Sequence, residues 1–211
     1  MRTKTLIWLS LALLVALFLS IAFVDRPLAI LINEQLKGVT QISGGFTNAL
    51  EWIFAFNVSK YLYAFAFLLV GVALHLWRRR LTLVARIWYF LGSTLLLSRL
   101  ISGTLKNVFE RVRPFDFLKT RTPADFFVEG GSSFPSGHAA FYFGLLFPLA
   151  LLFPKLRGAI LGFAMIAAGA RVFDLDHYLA DILASAVVAV LLVFALARLL
   201  RFPGLTNPEV A

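Results

Sequence analysis

The chain has 211 residues, of which 60% are hydrophobic and 15% charged, with 22 Phe and no Cys. Soluble domains carry about 45–50% apolar and about 25% charged residues, so the composition points to a chain in lipid, and the missing thiols exclude disulfides, thiolate metal sites and cysteine nucleophiles. The net charge of +9 would suggest nucleic acid in a soluble protein, so its distribution along the chain decides its meaning.

A helix needs about 20 apolar residues to cross the hydrocarbon core. Six segments approach that length, roughly 5–24, 60–77, 82–102, 139–153, 158–173 and 178–197. The first follows Arg2 and Lys4, has no small-x-small cleavage site before Asp25, and precedes more apolar segments; it reads as a retained helix, not a secretory signal. Residues 25–59 carry Asp25, Arg26, Pro27, Glu34, Lys37, a Gly44-Gly45 break and Glu51-Trp52. These interrupt the apolar residues often enough to predict an amphipathic helix lying at the interface. No repeat, linker or low-complexity stretch divides residues 1–211. The expected fold is therefore all-α, a single six-helix transmembrane bundle with an extracytoplasmic interfacial helix.

Charge sets the expected orientation. With a cytoplasmic amino terminus, the inner side holds Arg2, Lys4, Arg78, Arg79, Arg80, Arg86, Lys155, Arg157, Arg198 and Arg201 against the single acid Glu209, which accounts for the whole +9. The remaining Lys and Arg are balanced by the remaining Asp and Glu on the other side, the asymmetry of the positive-inside rule. Both termini are expected in the cytoplasm of a bacterial-type inner membrane. The basic balance then needs no nucleic acid, and Arg78-Arg79-Arg80 reads as an anchor at anionic headgroups.

On this map three polar clusters fall at the outer face, where ionisable residues at membrane depth point to function. The first places Lys106 and Arg113, seven residues apart, at the end of an outward-going helix, where both can point to one side. The second, Pro135-Ser136-Gly137-His138, opens an apolar helix whose amino-terminal amides suit an anion, with no side chain on Gly137 to block its approach. In the third, the spacing of His177 and Asp181 puts both on one helix face. A carboxylate on one imidazole nitrogen fixes the tautomer and frees the other to attack. Singly, these clusters are most simply a headgroup anchor, a helix cap and a packing pair. Together they supply the cations, oriented nucleophile and proton donor of phosphoryl transfer.

Over Lys106 to Asp181 the sequence resembles the type 2 phosphatidic acid phosphatases, related to vanadium haloperoxidases, with their motifs Lys-x6-Arg-Pro, Pro-Ser-Gly-His and Ser-Arg-x5-His-x3-Asp. The resemblance implies that Lys106, Arg113, Arg171, Ser136 and the Gly137 amide bind phosphate, that His177 forms a phosphohistidine, and that Asp181 orients His177. His138 would protonate the departing lipid oxygen and then activate water. It implies no metal or other cofactor and a membrane lipid phosphate as substrate: phosphatidylglycerol phosphate, undecaprenyl diphosphate, phosphatidic acid or a lipid A phosphate. The sequence departs from the pattern at Ala170, Leu175 and Leu179, where the family has Ser, Gly and Pro. Asp174 and Asp176 add charge beside the anion site and are read as solvent-facing loop acids unless they bond substrate hydroxyls.

Competing readings are an anion transporter, a metallohydrolase built on His138, His177, Asp174, Asp176 and Asp181, and a lipid-to-lipid phosphotransferase. Gathering of charge at one face and the lack of an inverted repeat disfavour the first. His75, beside Arg78, is on the wrong side for the site and reads as a packing residue. Oligomeric state is open.

Overall fold

The computed structural model describes residues 3–56 and 58–202, with side chains from Ile7 onward. Arg2, Glu209 and the side chain of Lys4, used in the charge count, lie outside the described residues. In chain order the elements are α1 (Thr3–Leu19), a π-helical turn (Ser20–Val24), α2 (Asp25–Gln35), α3 (Lys37–Ile53), α4 (Leu62–Arg78), α5 (Leu83–Phe109), α6 (Pro114–Thr120), α7 (Gly137–Leu152), a 3-10 turn (Pro154–Leu156), α8 (Arg157–Phe173) and α9 (Leu179–Leu199). No strand occurs among the described residues.

All six apolar segments are helical. Four helical stretches are long and apolar enough to cross a membrane: Ile7–Gln35, the one beginning at Leu83, Pro154–Phe173 and Leu179–Leu199. The other two, α4 and α7, are apolar but have 17 and 16 residues, so four of the six expected spans have the length and hydropathy to cross a membrane and these two fall short. Phe18, Leu69, Leu76 and Ile166 stand exposed on the helix surfaces, apolar area that lipid covers and water would penalise.

α7 is the axis of the bundle: Ala139 to Leu145 are all buried, a helix apolar around its circumference that needs neighbours on every side. Gly144 lets α5 approach, since a β-carbon there would lie 2.9 Å from the Ser98 hydroxyl and 3.3 Å from the Leu95 backbone. One end of the bundle is closed by Phe90, Val193, Ala197 and Phe202 beneath the basic turns, the other by Leu17, Phe134, Ala180 and Ala184.

Residues 25–59 differ from expectation. The helix of α1 continues through the π-helical turn into α2 without a break at Asp25. Pro27 lies three residues past the π-helical turn, the kind of irregularity in the helical ladder at which a proline inside a continuous helix is found, and Asp25 points inward to a buried partner. Nor does Gly44-Gly45 break the next helix: α3 runs through it. The Ser43 hydroxyl donates to the Ala170 carbonyl at 2.7 Å and that of Thr47 to Asp174 at 2.6 Å, which bind α3 to the end of α8 on either side of the glycines.

Candidate active site

α8 stops at Phe173, and Leu175 takes a left-handed conformation with φ 61°. That geometry accounts for the family's preference for Gly here; in this chain the strain is offset by burial of the Leu175 side chain. Tyr178 caps α9, so Leu179 is its first residue, the position where Pro is favoured. His177 therefore precedes the helix, and the expected pairing along one helix face is corrected: Asp181, at the third position of α9, reaches back to accept from the Tyr178 amide at 2.8 Å and to contact His177 Nδ1 at 3.4 Å. The second distance is longer than a well-formed hydrogen bond. The His177 amide donates to the Arg171 carbonyl at 3.2 Å, and the ring is 2% exposed. Burial holds the imidazole down at about 4, against the opposing pull of Asp181, so it is neutral at pH 7. Burial also pushes up the phenol of Tyr178.

Lys106 and Arg113 reach the same place by a different route from the one their spacing suggests. α5 ends at Phe109 because Glu110 turns left-handed at φ 38°, and Arg113 sits in extended backbone as the N-cap of α6. Convergence comes from the loop instead: the Lys106 ammonium donates to the Ser132 carbonyl and Arg113 Nε to the Ser132 hydroxyl at 3.2 Å. Gly137 faces Lys106 and Arg99, with an added β-carbon 3.8 Å from the first and 3.3 Å from the second. Ser136 is fully buried, and its hydroxyl accepts from the Ala139 amide at 3.3 Å, capping α7.

Arg171 closes the ring of cations. It donates to Glu51 at 3.0 Å and to Asp176, whose other oxygen lies 3.5 Å from Arg113, while Nε has no partner among the described residues. Glu51 also stands 3.1 Å from His138 Nε2, and the Phe56 ring packs on that imidazole with centroids 4.8 Å apart. The solvent-facing reading of the two extra acids is thus corrected. Asp176 bridges Arg113 and Arg171, and Asp174 is fixed by Thr47 with its side chain 9% exposed.

The structure therefore brings His177, Asp181, His138, Lys106, Arg113, Arg171 and the start of α7 to one end of the bundle. A tetrahedral dianion among them would meet three cations and the free amides of a helix start, with a neutral imidazole on one side and a second imidazole on another. Glu51 and Arg99 were not foreseen as site residues. The signal for Arg99 was present, a cation in the outer half of an apolar run, seven residues before Lys106 as Arg113 is seven after it; for Glu51 no local signal exists, because its partners lie 87 and 120 residues away. His75 lies on α4 with Nδ1 3.4 Å from the Tyr89 hydroxyl, as a packing residue would. Among the described residues no three His, Asp or Glu side chains gather as a metal ion would require.

No curated protein and no solved structure matches the chain. The PAP2 superfamily matches residues 86–203, more than half of the chain and all three motif clusters. The chain belongs to the PAP2 superfamily.

Proposed function

We propose that this chain is an integral membrane lipid phosphatase that works through a phosphohistidine on His177. Membership of the superfamily implies phosphoric ester hydrolysis on lipid-like substrates. What carries the finer reading is the pairing of neutral, buried His177 with Asp181 inside a ring of Lys106, Arg113 and Arg171. Lys106, Arg113, Arg171 and the Gly137 amide hold the phosphate oxygens, while Ser136 shapes the start of α7 that presents that amide.

With Nδ1 facing Asp181, the proton resides on Nδ1 and the Nε2 lone pair attacks phosphorus. Burial and the cations Arg171, Arg99 and Lys106 hold the His138 imidazole down, so it takes up its proton once the bound phosphate dianion offsets those cations, and the bond from phosphorus to the lipid oxygen breaks as the His138 imidazolium gives that oxygen this proton. His138, now neutral, takes a proton from water, whose oxygen attacks the phosphohistidine and releases inorganic phosphate and His177. Glu51 keeps the His138 ring in place.

The single domain crosses the membrane six times with both termini in the cytoplasm and the site at the periplasmic or outer face, where phosphatidylglycerol phosphate, undecaprenyl diphosphate, phosphatidic acid or a lipid A phosphate would present its headgroup. The basic residues around Arg78–Arg80, Lys155, Arg157 and Arg198 at the opposite end of the bundle support that orientation.

The test is phosphate release by the purified, detergent-solubilised chain from a panel of these lipids without an acceptor lipid. Release is expected for the wild type and near-background turnover for His177→Ala, while His138→Ala accumulates an acid-labile, base-stable phosphoprotein. Activity retained by His177→Ala would overturn the mechanism, and turnover only when an acceptor lipid is added would make the chain a phosphotransferase.

A further inference from the structure

Arg111 stands at an unspecified position inside the Lys-x6-Arg-Pro motif, yet its side chain is fully buried, with the guanidinium 4.1 Å from the Tyr178 ring centroid and 4.7 Å from that of Phe126. It donates from Nη1 to Asp181 Oδ1 at 2.7 Å, from Nη2 to Asp25 Oδ2 at 2.7 Å, and from Nε and Nη2 to the two oxygens of Asp125 at 3.0 and 3.1 Å. Asp25 uses its other oxygen to accept from the Ser20 hydroxyl at 2.6 Å and from the Ala180 amide at 3.1 Å. It thereby holds both the guanidinium and the first turn of α9, the helix that carries Asp181. Asp25 is delivered by the π-helical turn after α1, outside the stretch matched by the superfamily.

A guanidinium is a planar fork whose donors are fixed relative to one another, so a partner gripped on one tine constrains the partner on the next. With Oδ1 of Asp181 held by Arg111, Oδ2 is left to face His177, the Ser133 hydroxyl and the Tyr178 amide. Removing one anchor of a buried charged network loosens the rest.

We propose that Asp25 and Arg111 are positioning residues of the reaction: the chain Asp25–Arg111–Asp181 fixes the carboxylate that orients His177 and makes the first helical stretch part of the catalytic apparatus. The inference rests on His177 being the nucleophile. The charged and titratable groups that face His177 are Asp181 on α9, Lys106 on α5, Arg113 after α5 and His138 on α7. Neutralising Asp25 leaves the charge of each of these unaltered but frees Asp181 from one of its anchors, and Asp181 is the group that favours the imidazolium of His177. The guanidinium then meets one carboxylate fewer, its positive field at His177 grows, and protonation of His177 becomes harder.

The experiment measures phosphate release from phosphatidic acid by the full-length purified chain across pH, with monodispersity and Tm as folding controls, for the wild type, His177→Ala, Asp25→Asn and Asp125→Asn. Asp25→Asn is expected to lower kcat by about 10- to 100-fold, the scale of a misplaced catalytic group, with KM within about threefold and the acid limb of kcat/KM moved to lower pH. Asp125→Asn, in a partly exposed loop, is expected to move the limb the same way with a smaller loss. An unmoved acid limb with wild-type kcat in Asp25→Asn, or a loss confined to KM, overturns the proposal. Should Asp25→Asn not be recovered folded, an unmoved limb in Asp125→Asn overturns it instead. Activity surviving in His177→Ala would sink the reading of the nucleophile and this inference with it, whereas an inactive His177→Ala beside an unaffected Asp25→Asn sinks this inference alone.

Discussion

Asp176 offers a test of substrate preference. Its carboxylate joins Arg171 to Arg113 from within the ring of cations, with its side chain 27% exposed. A bound phosphate held by the same two arginines lies about 6 Å from that carboxylate, where each unit of phosphate charge is opposed by roughly 2–3 kcal/mol at an effective dielectric near 20. Partial exposure screens this to about 1 kcal/mol per unit charge. A diphosphate brings about one more negative charge than a monoester, so Asp176→Asn should raise kcat/KM for undecaprenyl diphosphate relative to phosphatidic acid by about fivefold. Loosening of Arg113 and Arg171 affects both substrates, so the ratio of the two kcat/KM values isolates the charge. The assay is phosphate release from each lipid in the same detergent at low salt, repeated at high salt where the change should shrink. An unchanged ratio at low salt would refute the argument and place Asp176 as a structural clasp for the two arginines. The wild type should favour the monoester.

Three further outcomes are expected. Because His177 is held at about 4 in the fold against about 6.5 unfolded, the unfolded chain takes up a proton first as pH falls; the fold should therefore lose up to about 3 kcal/mol between pH 6.5 and 4 and nothing above that window, read as a pH-dependent Tm difference from His177→Asn that a flat difference would refute. Gly131→Ala should lower stability by at least about 2 kcal/mol, since its β-carbon would sit 2.2 Å from the Glu110 carbonyl oxygen, in backbone with no flexible end to give way; an unchanged Tm would contradict the close approach. A cysteine at position 125 should react with an impermeant thiol reagent on intact cells while one at position 79 should not, and reversed labelling would put the site in the cytoplasm.

The helices were legible in the sequence because hydropathy and chain length act locally: each apolar segment is helical whatever its neighbours do, since a backbone in lipid must satisfy its own hydrogen bonds. The residues of the three motifs were legible too, and they do gather at one end of the bundle. How they gather was not. Spacing suggested helix faces for Lys106 with Arg113 and for His177 with Asp181, whereas the chain leaves the helix at Glu110 and has not yet entered it at His177, so both pairings are made by loops and a capping turn. The partners that set the charges of the site were invisible for a different reason. Asp25 and Arg111 are 86 residues apart, Glu51 and Arg171 are 120 apart, and Thr47 and Asp174 are 127 apart; each looked like a residue at a membrane surface until its partner arrived from another helix. Asp176, which reads in the sequence as a loop acid, becomes the bridge between two arginines only once α8 ends and Arg113 is folded back beside it. Hydropathy is a property of one segment, but the ionic character of a buried site is a property of pairs, and only the tertiary structure decides which pairs exist.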